Sequence, residues 1–196
     1  MKKILVVLAL FVFSFANAQK GSILVMGSVT YYSTNTSTSL GESKQNTINL
    51  QPKIGYQFHE NWTAGVEANF TNTKQNFYTE SQYKDNAYSL GGFLRYTKAL
   101  NNTFSAYADL GVGYQNRRQI NTIASGRYYT DSDGMYASIT PALFINVSKG
   151  FGLNFNVGGL KYDIMNYDGT PGNSYKTKSF QFNLGQAISV GVSKNF

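Results

Sequence analysis

Apolar and polar residues alternate with a period of two over most of the chain. From Thr47 to Phe58 one set of positions holds Ile48, Leu50, Pro52, Ile54, Tyr56 and Phe58, and the intervening set holds Thr47, Asn49, Gln51, Lys53, Gly55 and Gln57. Successive side chains of a strand point to opposite faces, so this alternation predicts a strand with one apolar face. After the turn His59-Glu60-Asn61 it resumes with Trp62, Ala64, Val66, Ala68 and Phe70, completing a predicted hairpin. Ala87 to Thr97 and Phe104 to Tyr114 repeat the pattern, with Asp109 on the polar face. A shift of 89 residues lays the apolar row from Pro52 to Ala68 onto the row from Pro141 to Val157. The reading gives eight strands, the first over about Ser22 to Tyr32 and the last over about Phe180 to Phe196.

The predicted connections alternate in length. Short ones fall at 59–61, 98–102 and 148–150; long polar ones are expected at 33–44, 74–84, 117–133 and 167–178. Tight turns at one end and long links at the other, with both termini at the tight end, are the layout of a transmembrane barrel. Residues 1–18 are read as a cleaved signal peptide: Lys2 and Lys3, an apolar run from Ile4 to Phe13, then Ala16-Asn17-Ala18. Residues 19–196 form the barrel domain. The fold class is therefore all-β, an eight-stranded antiparallel up-and-down transmembrane barrel.

A soluble, ligand-holding barrel has the same period, so the inward face decides. An eight-stranded barrel has room inside only for side chains that fit its narrow lumen. The polar face carries Gly55, Gly65, Gly91, Gly111, Gly113, Gly185 and Gly191, and the other face carries most of the bulky residues. The polar face is therefore inside. The outward row ends at the turn side in Phe58, Trp62, Tyr96, Phe104, Phe151 and Phe196, the pattern of an interfacial aromatic girdle.

The inner face then holds charges. A hairpin centred on Glu60 sets Lys53 opposite Glu67, and Arg95 and Asp109 add a second pair of opposite signs. Ions inside a barrel need partners. The bland reading is a structural plug of ion pairs and amides; the sharper is a narrow path for ions or small solutes lined by these four residues. Which carboxylate Arg95 takes is open at this stage.

Pro52-Lys53-Ile54-Gly55-Tyr56-Gln57-Phe58, Gly92-Phe93-Leu94-Arg95-Tyr96 and Gly191-Val192-Ser193-Lys194-Asn195-Phe196 carry a family resemblance. The chain resembles the small eight-stranded outer-membrane barrels of Gram-negative bacteria, the OmpX and OmpA-transmembrane type, also called the porin family. The resemblance covers residues 19–196 and implies a cell-envelope protein of the outer membrane. It also implies that terminal Phe196, with Val190 and Val192 on its face, is the recognition signal for the barrel-assembly machinery, although Lys194 departs from the apolar residue usual at its position. Such barrels serve adhesion, envelope structure and, in some members, catalysis.

The remaining chemistry is sparse. The chain has no Cys and a single His, which leaves no thiolate or multi-histidine metal site. His59 falls in a periplasmic turn, far from an outer-leaflet substrate, so no catalytic, cofactor or metal site is expected. Thr130-Asp131-Ser132-Asp133-Gly134 has too few carboxylates for a calcium loop and reads as a turn. Arg117, Arg118 and Arg127 are the basic candidates of one outer loop, suited to lipopolysaccharide phosphates. Tyrosines at the same end, among them Tyr31, Tyr78 and Tyr136, suit a girdle or stacking on a glycan or surface protein. The basic residues sit on an exported surface, which argues against nucleic acid. The expected role is structural or surface-interacting through four outer loops; the alternative is a narrow channel.

Overall fold

The computed structural model describes residues 21–39, 41–77, 81–169 and 172–196, and within the last strand nothing is said of the side chains of 186–188. The expected leader and Tyr78 lie outside the described residues. Eight antiparallel strands, β1 (Ile23–Thr38), β2 (Gly41–His59), β3 (Trp62–Asn76), β4 (Gln82–Ala99), β5 (Phe104–Ile123), β6 (Gly126–Ser148), β7 (Phe151–Gly169) and β8 (Asn173–Asn195), follow one another around a closed barrel. Closure satisfies the backbone groups that an open sheet would present to lipid.

The face assignment holds. Ile48, Leu50, Ile54, Val66, Leu90, Leu110, Val112, Leu143 and Val192 are exposed on the outside, whereas Thr63, Arg95, Asp109, Asn154 and Ser193 are buried inside. The inner glycines make room for the few large inward side chains. A methyl group on Gly113 would stand 2.7 Å from the Tyr136 ring, and one on Gly111 2.7 Å from the Glu67 carboxylate.

The two prolines related by the 89-residue repeat both coincide with gaps in the ladder on one side. Between β2 and β3 the register passes from Leu50 opposite Phe70 to Lys53 opposite Glu67, and between β6 and β7 it shifts between Ile139 and Ala142. Proline has no N–H to give to a ladder.

The largest departure from the sequence reading concerns the outer loops. The segments expected as long loops are mostly strand: β1 continues to Thr38 before β2 resumes at Gly41, and β5 continues to Ile123 before β6 begins at Gly126. The links at 74–84 and 167–178 contract likewise, with β4 starting at Gln82 and β8 at Asn173. The reason is physical: beyond the lipid both faces of a strand meet water, so the apolar alternation that marks a strand disappears while the backbone pairing persists. The segment from Thr130 to Gly134 is accordingly part of β6 and not a turn.

Candidate functional site

The inner charges converge in one network. Lys53 on β2 and Glu67 on β3 are opposite in register, and Lys53 Nζ lies 2.6 Å from Glu67 Oε2. Lys53 Nζ also donates to Asp109 Oδ2 at 3.0 Å. Arg95 on β4 faces Asp109 on β5 in register and takes it as its carboxylate, with Nε donating to Oδ1 at 2.6 Å and Nη2 to Oδ2 at 2.9 Å. The fork geometry of guanidinium on carboxylate is the strongest form of such a pair. Two positive and two negative groups thus close on one another across four consecutive strands.

Two tyrosines complete the arrangement. The Arg95 guanidinium sits 3.7 Å above the Tyr107 ring, and the Tyr136 hydroxyl donates to Glu67 Oε1 at 2.8 Å. Tyr136 is therefore an inward residue and not part of an outer tyrosine cluster. Running the alternation of β6 back from Pro141 through Ile139, Ala137 and Met135 puts Tyr136 on the inner parity, which is the signal that identifies it.

Above this network the lumen opens into a cavity of about 700 Å³. Lys53, Glu67, Tyr107 and Asp109 lie at its inner end, and Asp85, Arg117, Lys161 and Asp163 lie along its outer wall. Each of these outer charges has a partner of opposite sign: Arg117 Nε donates to Asp85 Oδ1 at 2.8 Å, and Lys161 Nζ lies 2.8 Å from Asp163 Oδ1. Asp163 also accepts from Gln115 at 2.8 Å and from Ser179 at 3.2 Å. Sequence reasoning missed Asp85 because the outward row beside it turns polar at Asn86 and Lys84, and missed Lys161 and Asp163 because the irregularity between Asn156 and Gly158 shifts the outward row from Leu153 and Phe155 to Leu160, Tyr162 and Ile164.

The three expected loop arginines are strand residues with separate fates. Arg117 points inward to Asp85. Arg118 is on the outer surface, where Nε donates to Asp131 Oδ1 at 2.6 Å; this pairing holds the Asp131 carboxyl below its ordinary range. Arg127, past the β5–β6 turn, reaches the hydroxyls of Thr122 at 3.4 Å and Tyr129 at 3.5 Å. The single basic loop expected from sequence is not formed. Instead, the outward column of β3 and β4 passes from Phe70 opposite Tyr88, through a hydrogen-bonded Asn72–Asn86 pair, to Lys74 opposite Lys84.

At the inner end Phe58, Trp62, Tyr96, Phe104, Phe151 and Phe196 are all exposed on the outside, with Trp62 and Tyr96 in contact at 4.9 Å between ring centroids. Val190 and Val192 share that outward face. Phe196 joins the barrel seam: its N–H donates to the Ile23 carbonyl at 3.0 Å, and Ile23 returns the bond at 3.2 Å. His59 is exposed at the end of β2 beside the turn, and its Nδ1 accepts from the Asn61 N–H at 3.5 Å.

Closed topology, an apolar outer face and an ion-paired lumen together define an outer-membrane β-barrel. Residues 4–187 match the model of the outer membrane protein beta-barrel domain, and the chain belongs to that family; it resides in the cell outer membrane. Among solved structures it is similar to a major outer membrane protein from Thermus thermophilus, with TM-score 0.53 and 9% identity, over 90% of this chain and 99% of that one. Neisserial surface protein A (NspA) aligns at TM-score 0.45 and 14% identity, over 90% and 97% of the two chains. Ail, the attachment invasion locus protein of Yersinia pestis, aligns at TM-score 0.43 and 15% identity, over 91% and 100%. No curated protein matches the sequence closely enough to count as a relative.

Proposed function

We propose that this barrel is a non-catalytic surface-interaction protein that works through its outer hairpins, with the lumenal ion network as a structural plug. The observation that carries the reading is strand length. A tilted strand crosses a bilayer in about ten residues, yet these strands run from 15 residues in β3 to 23 in β6 and β8. The inner-end turns are tight, so the excess is all at the outer end. From Tyr114, the last aromatic of the outward row on β5, to Ile123 the strand covers about 30 Å at ~3.3 Å per residue. A paired sheet of that reach presents a preformed surface to a partner, and little ordering entropy is lost on contact.

The chemistry of that surface suits polyanions and glycans. Lys74 and Lys84 stand directly opposite on the outward side just beyond Phe70 and Tyr88, where lipopolysaccharide phosphates lie. Like charges so placed repel each other, and an anion between them relieves the repulsion. Tyr167 and Tyr175 stack at 4.7 Å near the tip of β7–β8, on the side where Tyr167 lines the mouth of the cavity. The test is attachment of cells displaying the full chain compared with a variant in which residues 119–130 are replaced by Asn-Gly. Reduced attachment with a normally folded barrel is expected; unchanged attachment overturns the reading for this hairpin.

A further inference from the structure

The outward face of the barrel is uneven near its outer end. On β2, β3 and β4 the outward positions run, away from the lipid band, from Leu50, Phe70 and Tyr88 through Ile48, Asn72 and Asn86 to Asn46, Lys74 and Lys84. Two of these rungs continue onto β6 and β7, the first as Asp133 and Asn166 and the second as Asp131 and Asp168. Apolar surface and lysines thus share the β2–β4 side, whereas the outward side of β6 and β7 is acidic at the same level.

The β2–β4 side is also shaped. Ile48, Leu50, Phe70 and Tyr88, all exposed, line a groove of about 350 Å³ that is bordered by the hydrogen-bonded Asn72–Asn86 pair. Lys74 and Lys84 stand opposite each other one outward step further along β3 and β4. Two residues of strand place them about 7 Å beyond the asparagines. Neither lysine has a carboxylate partner among the described residues. Facing ammonium groups repel, and an anion between them removes the repulsion.

The geometry points to a binding site for one molecule of lipid A on the outside of β2–β4. A phosphate lies between Lys74 and Lys84, the glucosamine amide and hydroxyl groups meet Asn72 and Asn86, and an acyl chain lies in the groove. The site rests on the reading above that phosphates of lipopolysaccharide surround this end of the barrel, and it adds to that reading a bound orientation and a place for the chain.

The order of the layers carries the assignment. Ammonium, amide and hydrocarbon follow one another down the wall in the order in which phosphate, sugar and acyl chain follow one another in lipid A. Charge then selects among lipids. A phosphate monoester carries close to two negative charges near neutral pH, which matches two lysines, whereas the phosphodiester of a glycerophospholipid carries one. Asparagine amides both donate and accept, so the Asn72–Asn86 pair can serve sugar hydroxyls and the amide link of an acyl chain. Surrounding lipid is as apolar as the groove, so close packing holds the chain there. The carboxylates of β6 and β7 repel the same head group, which confines it to the β2–β4 side.

The test is native mass spectrometry of the refolded chain in neutral detergent, with heat-shifted gel mobility confirming that each variant folds. The probes are diphosphorylated lipid A, the same lipid A stripped of its phosphates, and phosphatidylglycerol. The parent is expected to bind one diphosphorylated lipid A about tenfold or more tightly than either other lipid, since each lysine near an anionic head contributes roughly 1 kcal/mol. Lys74→Gln with Lys84→Gln should abolish that preference. Lys176→Gln with Lys178→Gln removes the same charge from the outward side of β8 and should preserve it. Leu50→Trp fills the groove and should weaken binding severalfold, while Leu90→Trp, on the same face outside the groove, should not. Equal binding of phosphatidylglycerol, equal loss in the two lysine pairs, or unchanged binding in Leu50→Trp overturns the assignment. Cell attachment of the variant at 119–130 reads a different element, so failure here leaves the hairpin reading standing.

Discussion

Removing the Asp109 carboxylate is the sharpest perturbation of the lumen. Asp109 is 3% exposed and Arg95 4% exposed, and Asp109 accepts two hydrogen bonds from Arg95 and a third from Lys53. In Asp109→Ala, Lys53 keeps Glu67 at 2.6 Å, but Arg95 loses its carboxylate and is left with the Tyr107 and Phe93 ring faces and Met26 Sδ, 3.2 Å from Nη2. Breaking a buried pair by deleting one partner costs about 3–5 kcal/mol. That corresponds to a fall of about a hundredfold or more in the folding equilibrium constant. The assay is urea-dependent folding into lipid vesicles, followed by fluorescence of the single tryptophan, Trp62. The double variant Arg95→Met with Asp109→Leu separates charge from packing. It removes both ions and is expected within about 1 kcal/mol of the parent, because desolvation offsets most of a buried pair's attraction. The reasoning is refuted if Asp109→Ala costs less than about 1 kcal/mol, or if the double variant is as unstable as the single one.

Other outcomes follow from the same geometry. A Cβ on Gly191 would lie 3.5 Å from that of Ser28, within disulfide range, so Ser28→Cys with Gly191→Cys should oxidise spontaneously and show as a mobility change reversed by reductant. Failure to cross-link contradicts the β1–β8 register. Lys84→Gln should raise stability by about 0.2–1 kcal/mol in neutral detergent by removing repulsion from Lys74, and should lower retention of lipopolysaccharide. Unchanged retention argues against a phosphate between the two lysines. Arg118 lowers the Asp131 carboxyl relative to the unfolded chain, so this pair contributes fully above the unfolded carboxylate range. The contribution is lost as pH falls through the depressed folded value, and both groups are exposed, so salt screens it. The protection of the amides from Ile120 to Tyr129, taken against their intrinsic exchange rates at each pH, should therefore fall only in that acidic window; a fall already near neutral pH contradicts the assignment.

The sequence carried the architecture because a bilayer enforces it. Inside the lipid band each strand must be apolar outward and small or polar inward, which made Lys53 opposite Glu67 readable from the turn at Glu60 and the outer rows readable from Ile48 to Phe58. The same rule fails outside the band. At Arg117, Arg118 and the segment from Thr130 to Gly134 no solvent forces alternation, so strand resembled loop and inward Arg117 was not separable from outward Arg118. Arg95's choice of Asp109 depended on the β4–β5 register, which the looser turn after Ala99 leaves open in sequence.

Single-channel conductance of the refolded chain in a planar bilayer tests most directly the claim that the inner half of the barrel is sealed and the protein works at the outer surface. The Lys53–Glu67–Asp109–Arg95 network, backed by Phe93 and Tyr107, predicts a folded barrel without discrete openings. Reproducible openings whose amplitude or ion preference changes in Lys53→Ala with Glu67→Ala, without loss of stability, contradict it and assign these four residues to a conducting path.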